Sequence, residues 1–268
     1  MSDGTDQNQV RSHAEQQYGS AGNLNARQSL HTRFSTNPVS WHRWVFDQFA
    51  IPAVANVLEL GCGPGILWSE NLDRLPDGWQ ITLSDFSEGM VDEARRKLGV
   101  DRFAYSVMDA QEITVPDACL DAVIANHMLY HVPDLAKGLS EIQRVLRPGG
   151  CFYAATNGRD HLRELDELHA RVGLRTPAFL MGSFELENGA EMLSAWFGDV
   201  ELRGREDGLA VTEIEPLVDY ILSAQDPPPT ESQLSQIRRI IGEEITRMGA
   251  FGITKSAGMF IARKEALR

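Results

Sequence analysis

An apolar run, Val57-Leu58-Glu59-Leu60, goes directly into three glycines at alternate positions, Gly61, Gly63 and Gly65, and apolar residues resume at Ile66-Leu67-Trp68. This is the pattern of a buried parallel strand, a tight glycine turn and then a helix. Without a Cβ, glycine accepts positive φ and lets a ligand come close to the backbone. The helix beyond the turn directs its free N–H groups and its positive dipole end at whatever sits there. Taken alone, the stretch is also compatible with a glycine-rich connection that holds no ligand.

The segments that follow repeat the rhythm. A helix is expected from Ile66 to Arg74, before Pro76-Asp77-Gly78. A strand over 80–84 ends at Asp85, and Ser87 caps a helix reaching Lys97. A third strand over 102–108 ends at Asp109, and the most apolar strand, 120–126, ends at Asn126. Asp134 caps a helix to Leu146, Arg147-Pro148-Gly149-Gly150 stops it, and a fifth strand covers 151–156. Strands and helices in alternation predict an α/β fold, a doubly wound and mostly parallel sheet with helices on both faces.

The flanks differ from this core. Residues 1–22 are polar and read as a flexible N-terminus. Residues 23–50 are rich in aromatics, His and Arg and read as a helical lid, with helices over 25–34 and 40–49. The core spans 51–156. Residues 157–268 read as two remaining sheet strands, 200–205 and 257–264, carrying helical insertions near 157–188 and 207–252. Pro227-Pro228-Pro229 is expected to be a stiff connection.

Charge narrows the partners. With 25 basic and 38 acidic side chains, a net charge of −13 and a pI near 5.0, the chain is ill suited to track an extended nucleic acid. Cys62, Cys119 and Cys151 lack metal-ligand spacing and read as free thiols in a reducing compartment. The polar start has no signal-peptide core, and no apolar run approaches the roughly 18 residues of a membrane span. The reading is a cytoplasmic protein without a membrane partner, as monomer or homodimer.

In an open parallel sheet, ligands bind beyond the carboxyl ends of the strands. Here four such ends are polar or glycine-rich: the glycine turn, Asp85, Asp109-Ala110 and Asn126-His127. An acid at the second end is placed to accept hydrogen bonds from ribose hydroxyls. Together with ITLSDFSEGMVDEAR, MDAQEI, LDAVIANHMLYHVPD and LRPGG, the glycine stretch resembles the motifs of class I S-adenosylmethionine-dependent methyltransferases over about residues 40–156. A nicotinamide dehydrogenase competes at the fold level, but its GxGxxG spacing is not met, because position 66 is Ile.

The resemblance implies a seven-stranded sheet with the last strand antiparallel, and S-adenosyl-L-methionine as cofactor. It implies that Glu59, Gly61, Gly63 and Gly65 line the methionine part, with Glu59 adding negative charge. Asp85 holds the ribose, Phe86 covers the adenine, Asp109 and Ala110 meet the adenine edge, and Asn126 faces the sulfonium end.

Methyl transfer needs an acceptor aligned opposite the sulfonium and water excluded; a general base is optional. Candidates for the catalytic roles are His127, Tyr130 and His131, in the segment after the fourth strand. Pro133 makes a continuous helix there improbable, and no third ligand accompanies the two histidines, so no metal is expected. Tyr18, His31, Arg33 and Trp41 are the candidate substrate-binding residues of the lid. The expected function is methyl transfer to a small-molecule acceptor (O, N or C) in specialised metabolism. The alternatives are a methyltransferase acting on protein or nucleic acid, and a non-catalytic cofactor-binding regulator.

Overall fold

Seven strands form one sheet in the order β3-β2-β1-β4-β5-β7-β6. The structure is a computed structural model and describes residues 29–175, 183–225 and 227–266. The strands are β1 (Val54–Leu60), β2 (Gly78–Asp85), β3 (Phe103–Val107), β4 (Leu120–Asn126), β5 (Leu146–Asn157), β6 (Asp199–Val211) and β7 (Phe251–Arg263). β1 to β5 pair in parallel, and β7 runs antiparallel to β5. The chain moves outward from β1 to β2 and β3, then returns to lay β4 on the other side of β1. That reversal opens a crevice at the carboxyl ends of β1 and β4.

Residues 29–34 form α1, followed by α2 (Trp41–Asp47), α3 (Ile66–Ser69), α4 (Glu88–Leu98), α5 (Leu135–Val145), α6 (Arg163–Arg171), α7 (Gly189–Ser194), α8 (Ile214–Ala224) and α9 (Glu231–Met248). The caps follow from side-chain chemistry. Ser40, Ser87, Asp134 and Thr230 each accept a backbone N–H three residues on. Thr230 and Gln233 complete a capping box.

Two compact units are formed. One comprises Val39–Gly158, Ser183–Gly204 and Ala257–Arg268, and contains β1 to β5. Strand alternation sends its apolar residues to two cores. Leu58, Leu60, Val123, Ala125, Phe152 and Ala154 join one; Val57, Ala122, Ile124, Tyr153 and Ala155 join the other. The second unit lies within 1–38, 159–182 and 205–256. Its own core brings Leu30 and Phe34 together with Leu165, Leu168, Leu217, Ile221, Ile237 and Ile241.

Three expectations are corrected by the structure. The helix after the glycine turn does not reach Arg74: α3 stops at Ser69 and a separate 3-10 turn covers Leu72–Arg74. Asn71 causes the break. Its side-chain amide donates to Leu67 O at 2.7 Å, the carbonyl its own N–H would use in an α-helix, and that N–H turns to Trp68 O instead. Arg147-Pro148-Gly149-Gly150 belongs to β5, because a register shift between Leu120 and Ala122 absorbs it. β6 and β7 are 13 residues each, so 207–211 and 251–256 are strand. Leu209, Val211, Phe251 and Ile253 are buried there, although the surrounding Gly and charged residues read as insertion.

Candidate functional site

Register aligns the strand ends. Leu60 pairs with Ser84 on one side and Ala125 on the other. The next row therefore carries Gly61, Asp85 and Asn126. With strands spaced about 4.8 Å apart, a carboxylate and a carboxamide flank the glycine turn at close quarters. The whole arrangement lies within the first unit.

All three glycines are left-handed, with φ of +65°, +52° and +74° at Gly61, Gly63 and Gly65. Their surroundings differ. A Cβ on Gly61 would sit 2.7 Å from Met128 Cβ, and one on Gly65 would sit 2.6 Å from Leu98 Cδ1. A Cβ on Gly63 would meet nothing within 4 Å. Two glycines thus permit packing, while Gly63 presents bare backbone to open space. This is a cradle that a side chain would fill.

Asp85 ties the turn to β2. Its Oδ2 accepts the Gly63 N–H at 2.9 Å and its Oδ1 accepts the Ser87 N–H at 2.8 Å. Burial raises its pKa, and these backbone hydrogen bonds work in the opposite direction. With the Phe86 N–H also bonded to it, the carboxylate keeps about one of its roughly four lone-pair directions. Phe86, the next residue, is 43% exposed. Asp109 accepts the Gln111 N–H at 2.9 Å, a local turn that leaves Ala110 buried behind it.

Glu59 departs from expectation. Alternation along β1 puts it on the same face as Val57, whose core includes Trp68. It is 1% exposed, and Trp68 Nε1 donates to its Oε2 at 2.5 Å. Burial pushes its pKa up to about 8, beyond what the indole bond offsets. At neutral pH it is protonated. The negative charge expected of it is therefore absent, because the carboxyl lies inside an apolar core beneath the turn. Burial likewise pushes the Cys62 thiol up, so it is no nucleophile at neutral pH.

Asn126 organises the far side. Trp41 Nε1 donates to Asn126 Oδ1 at 3.0 Å. α2 brings Trp41 there because its first turn is clamped to Glu70: Ser40 Oγ donates to one carboxylate oxygen, and His42 Nδ1 lies 3.1 Å from the other. His127 follows Asn126 with φ of +57°, rare for a residue with a large side chain. Its ring lies 4.8 Å from that of Trp41 and 6.5 Å from that of Tyr130, and Tyr130 meets His131 edge-on at 4.5 Å. Asn126, His127, Tyr130, His131 and Trp41 are thus brought together.

Tyr18 falls outside the described residues. His31 and Arg33 belong to the second unit; Arg33 is exposed and pairs with Glu213 at 2.7 Å. Among the described residues, no three His, Cys, Asp or Glu side chains converge as a metal site would require, and no helix is long and apolar enough to cross a membrane. Two participants escaped the reading of the sequence: Trp68, which read only as helix core, and Glu70, whose clamp on α2 had no local signal.

Known proteins resemble this chain in sequence and fold. Residues 58–154 match the family model described as a methyltransferase domain. The chain is 27% identical over 171 residues to the ubiquinone/menaquinone biosynthesis C-methyltransferase UbiE of Desulfotalea psychrophila, which covers 59% of this chain and 69% of that protein. It is 30% identical over 119 residues to a malonyl-[acyl-carrier protein] O-methyltransferase of Serratia marcescens, covering 43% and 44% respectively. The chain spans less than half the length of most of the curated relatives it matches. A solved structure of Haemonchus contortus phosphoethanolamine N-methyltransferase 2 in complex with S-adenosyl-L-methionine superposes with a TM-score of 0.55 at 18% identity, over 91% of this chain and 57% of that one.

Proposed function

We propose that this chain, a member of the class I S-adenosylmethionine-dependent methyltransferases, transfers a methyl group to a small-molecule acceptor by in-line displacement. When bound, S-adenosylmethionine supplies an electrophilic methyl group on a sulfonium. The observation that carries the reading is the row Gly61, Asp85 and Asn126, with Gly63 open beside it.

The chain's own residues divide the work. Asp85 would accept from a ribose hydroxyl with the lone pair its backbone bonds leave, and Phe86 would cover the adenine. Asp109 and Ala110 would meet the adenine edge. Gly63, between the packing glycines Gly61 and Gly65, would admit the amino-acid end to the backbone. Neutral Glu59 would serve beneath the turn as a buried support. Asn126, fixed by Trp41, would face the reacting end, and the aromatic wall of Trp41, His127 and Tyr130 would exclude water. His127 and His131 would take up an acceptor proton where the acceptor has one to lose.

Support for a small acceptor comes from the net charge of −13 and from the acceptors that the relatives' names imply. Calorimetry with S-adenosylhomocysteine, followed by methyl-transfer assays on a panel of phenols, carboxylic acids and amines, tests the proposal. Saturable binding with turnover of a panel member is the expected result. Absence of any binding of cofactor or product sinks it.

A further inference from the structure

The loop that carries Asp109 and the turn that carries His131 are joined through the side chain of Gln111. Its Nε2 donates to Asp109 Oδ1 at 3.1 Å and to Oδ2 at 3.3 Å, and its backbone N–H donates to Oδ1 at 2.9 Å. Its Oε1 accepts the Asp134 N–H at 3.1 Å. Asp134 in turn caps α5, accepting the Lys137 N–H at 3.0 Å. Between His131 and Asp134 stand only Val132 and Pro133. Val132 is buried, and its N–H donates to Leu129 O at 3.0 Å. The His131 N–H donates to Met128 O at 2.9 Å, closing the 3-10 turn Leu129–His131. A Cβ on Gly138, near the start of α5, would sit 3.3 Å from Val132 Cγ1 and 3.7 Å from Ala110 O. The helix therefore lies against the loop and the turn together.

We infer that Gln111 is a positioning residue: it couples the Asp109 carboxylate to the turn bearing His131, so that a group bound at Asp109 sets the placement of the His131 ring. A carboxamide holds its donor and acceptor ends in one rigid plane. The donor end of Gln111 is spread over both oxygens of Asp109, so a carboxylate that rotates to meet a ligand carries the amide with it. The acceptor end then moves against the Asp134 N–H. Pro133 fixes its own φ, so a displacement at Asp134 reaches His131 across a short, stiff connection. The other end of the loop is held fast: Glu141 Oε2 accepts the Ile113 N–H at 2.9 Å, and Arg144 Nη2 donates to Ile113 O at 2.7 Å. A rearrangement at Asp109 is thus directed toward Asp134 and not absorbed at Ile113. Tyr130 meets the His131 ring edge-on at 4.5 Å, so the aromatic wall beside Asn126 follows. That the group at Asp109 is an adenine edge, and that the ring serves a methyl acceptor, rests on the reading given above; the coupling itself does not.

The test follows the His131 ring signal by NMR in the full chain at constant pH, the signal being identified by its loss in His131→Gln. Asp109→Asn keeps an acceptor for the Gln111 N–H and puts a donor in place of Oδ2. It is expected to shift the His131 signal in the otherwise native chain, and the shift is expected to shrink about fivefold or more once Gln111→Met is added. Equal shifts in the two backgrounds, or no shift in either, overturn the proposal. A purely structural Gln111 would lower the melting temperature of Gln111→Met and leave the His131 response intact, which also overturns it. Gln111→Glu keeps the acceptor for Asp134 and loses the donor to Asp109. It is expected to lose the response as well, and it decides the matter should Gln111→Met fail to fold. None of these measurements needs the cofactor. S-adenosylhomocysteine calorimetry on the same samples reports separately on the methyl-transfer reading: no binding would remove that reading and leave the coupling standing.

Discussion

The indole nitrogen of Trp68 lies 2.5 Å from Glu59 Oε2, and both side chains are essentially inaccessible to water. Burial raises the pKa of the acid under the glycine turn, and the indole hydrogen bond offsets only part of that rise. Its folded pKa of about 8 stands above the ordinary 4.5. The folded state therefore holds a proton that the unfolded chain has released, and stability falls as pH rises from about 4.5 to about 8. The contribution is on the order of a few kcal/mol. Glu59→Gln keeps an acceptor for Trp68 and removes the titration, so its denaturation midpoint is expected to vary less across this window. An unchanged pH slope would show that Glu59 is ionised in the folded protein.

Trp68→Phe keeps most of the ring volume and removes the donor. Glu59 is then left without its hydrogen bond, at a cost of about 1–3 kcal/mol. Urea denaturation of the single variants and of Trp68→Phe combined with Glu59→Leu measures the coupling. The double variant is expected to recover part of the loss.

Gly63 and Gly61 separate binding from packing. Gly63→Ala meets no neighbour and bears only the strain of φ +52°, about 1–2 kcal/mol. It is expected to fold and to lose cofactor affinity by tenfold or more. Gly61→Ala meets Met128 at 2.7 Å and is expected to lose stability as well. Melting curves and S-adenosylhomocysteine calorimetry on both variants distinguish the two effects; normal binding by Gly63→Ala contradicts the cofactor assignment.

Asp85→Ala removes the acceptor of the Gly63 and Ser87 N–H groups together with the proposed ribose contact. Hydrogen bonds to a charged group contribute about 1.5–3 kcal/mol, so calorimetry is expected to show cofactor affinity reduced by about 10- to 150-fold.

Trp41→Phe retains an aromatic ring next to His127 and deletes the donor to Asn126 Oδ1. Cofactor affinity is expected to stay within about twofold while kcat falls, because Asn126 loses its fixed orientation. Equal turnover by the variant and wild type would remove Trp41 from the proposed site.

The strand ends were legible because their signals are local. Val57 to Leu60 running into Gly61 announces a strand and turn, and Ser87 and Asp134 announce helix starts. The state of Glu59 was not, since it depends on the burial that only folding produces. Asn71 looked like any polar helix residue, and only its bond to Leu67 O shows why α3 stops. Leu209, Val211, Phe251 and Ile253 sit among glycines and charges that hid two strand halves. His31 read as a lid residue, yet its neighbours Tyr220 and Lys255 lie far along the chain.

By itself the sequence determined the alternation of strand and helix, the antiparallel last strand by resemblance, and the residues standing at the β1, β2 and β4 ends. These depend on side-chain period, capping and backbone freedom, which act over a few residues. Tertiary structure alone decided that Glu59 is neutral, that Gly63 is the open glycine of the three, that Trp41 holds Asn126, and that Gln111 joins Asp109 to Asp134. Desolvation and contact act between residues that the chain brings together only on folding, so their outcome has no counterpart in local pattern.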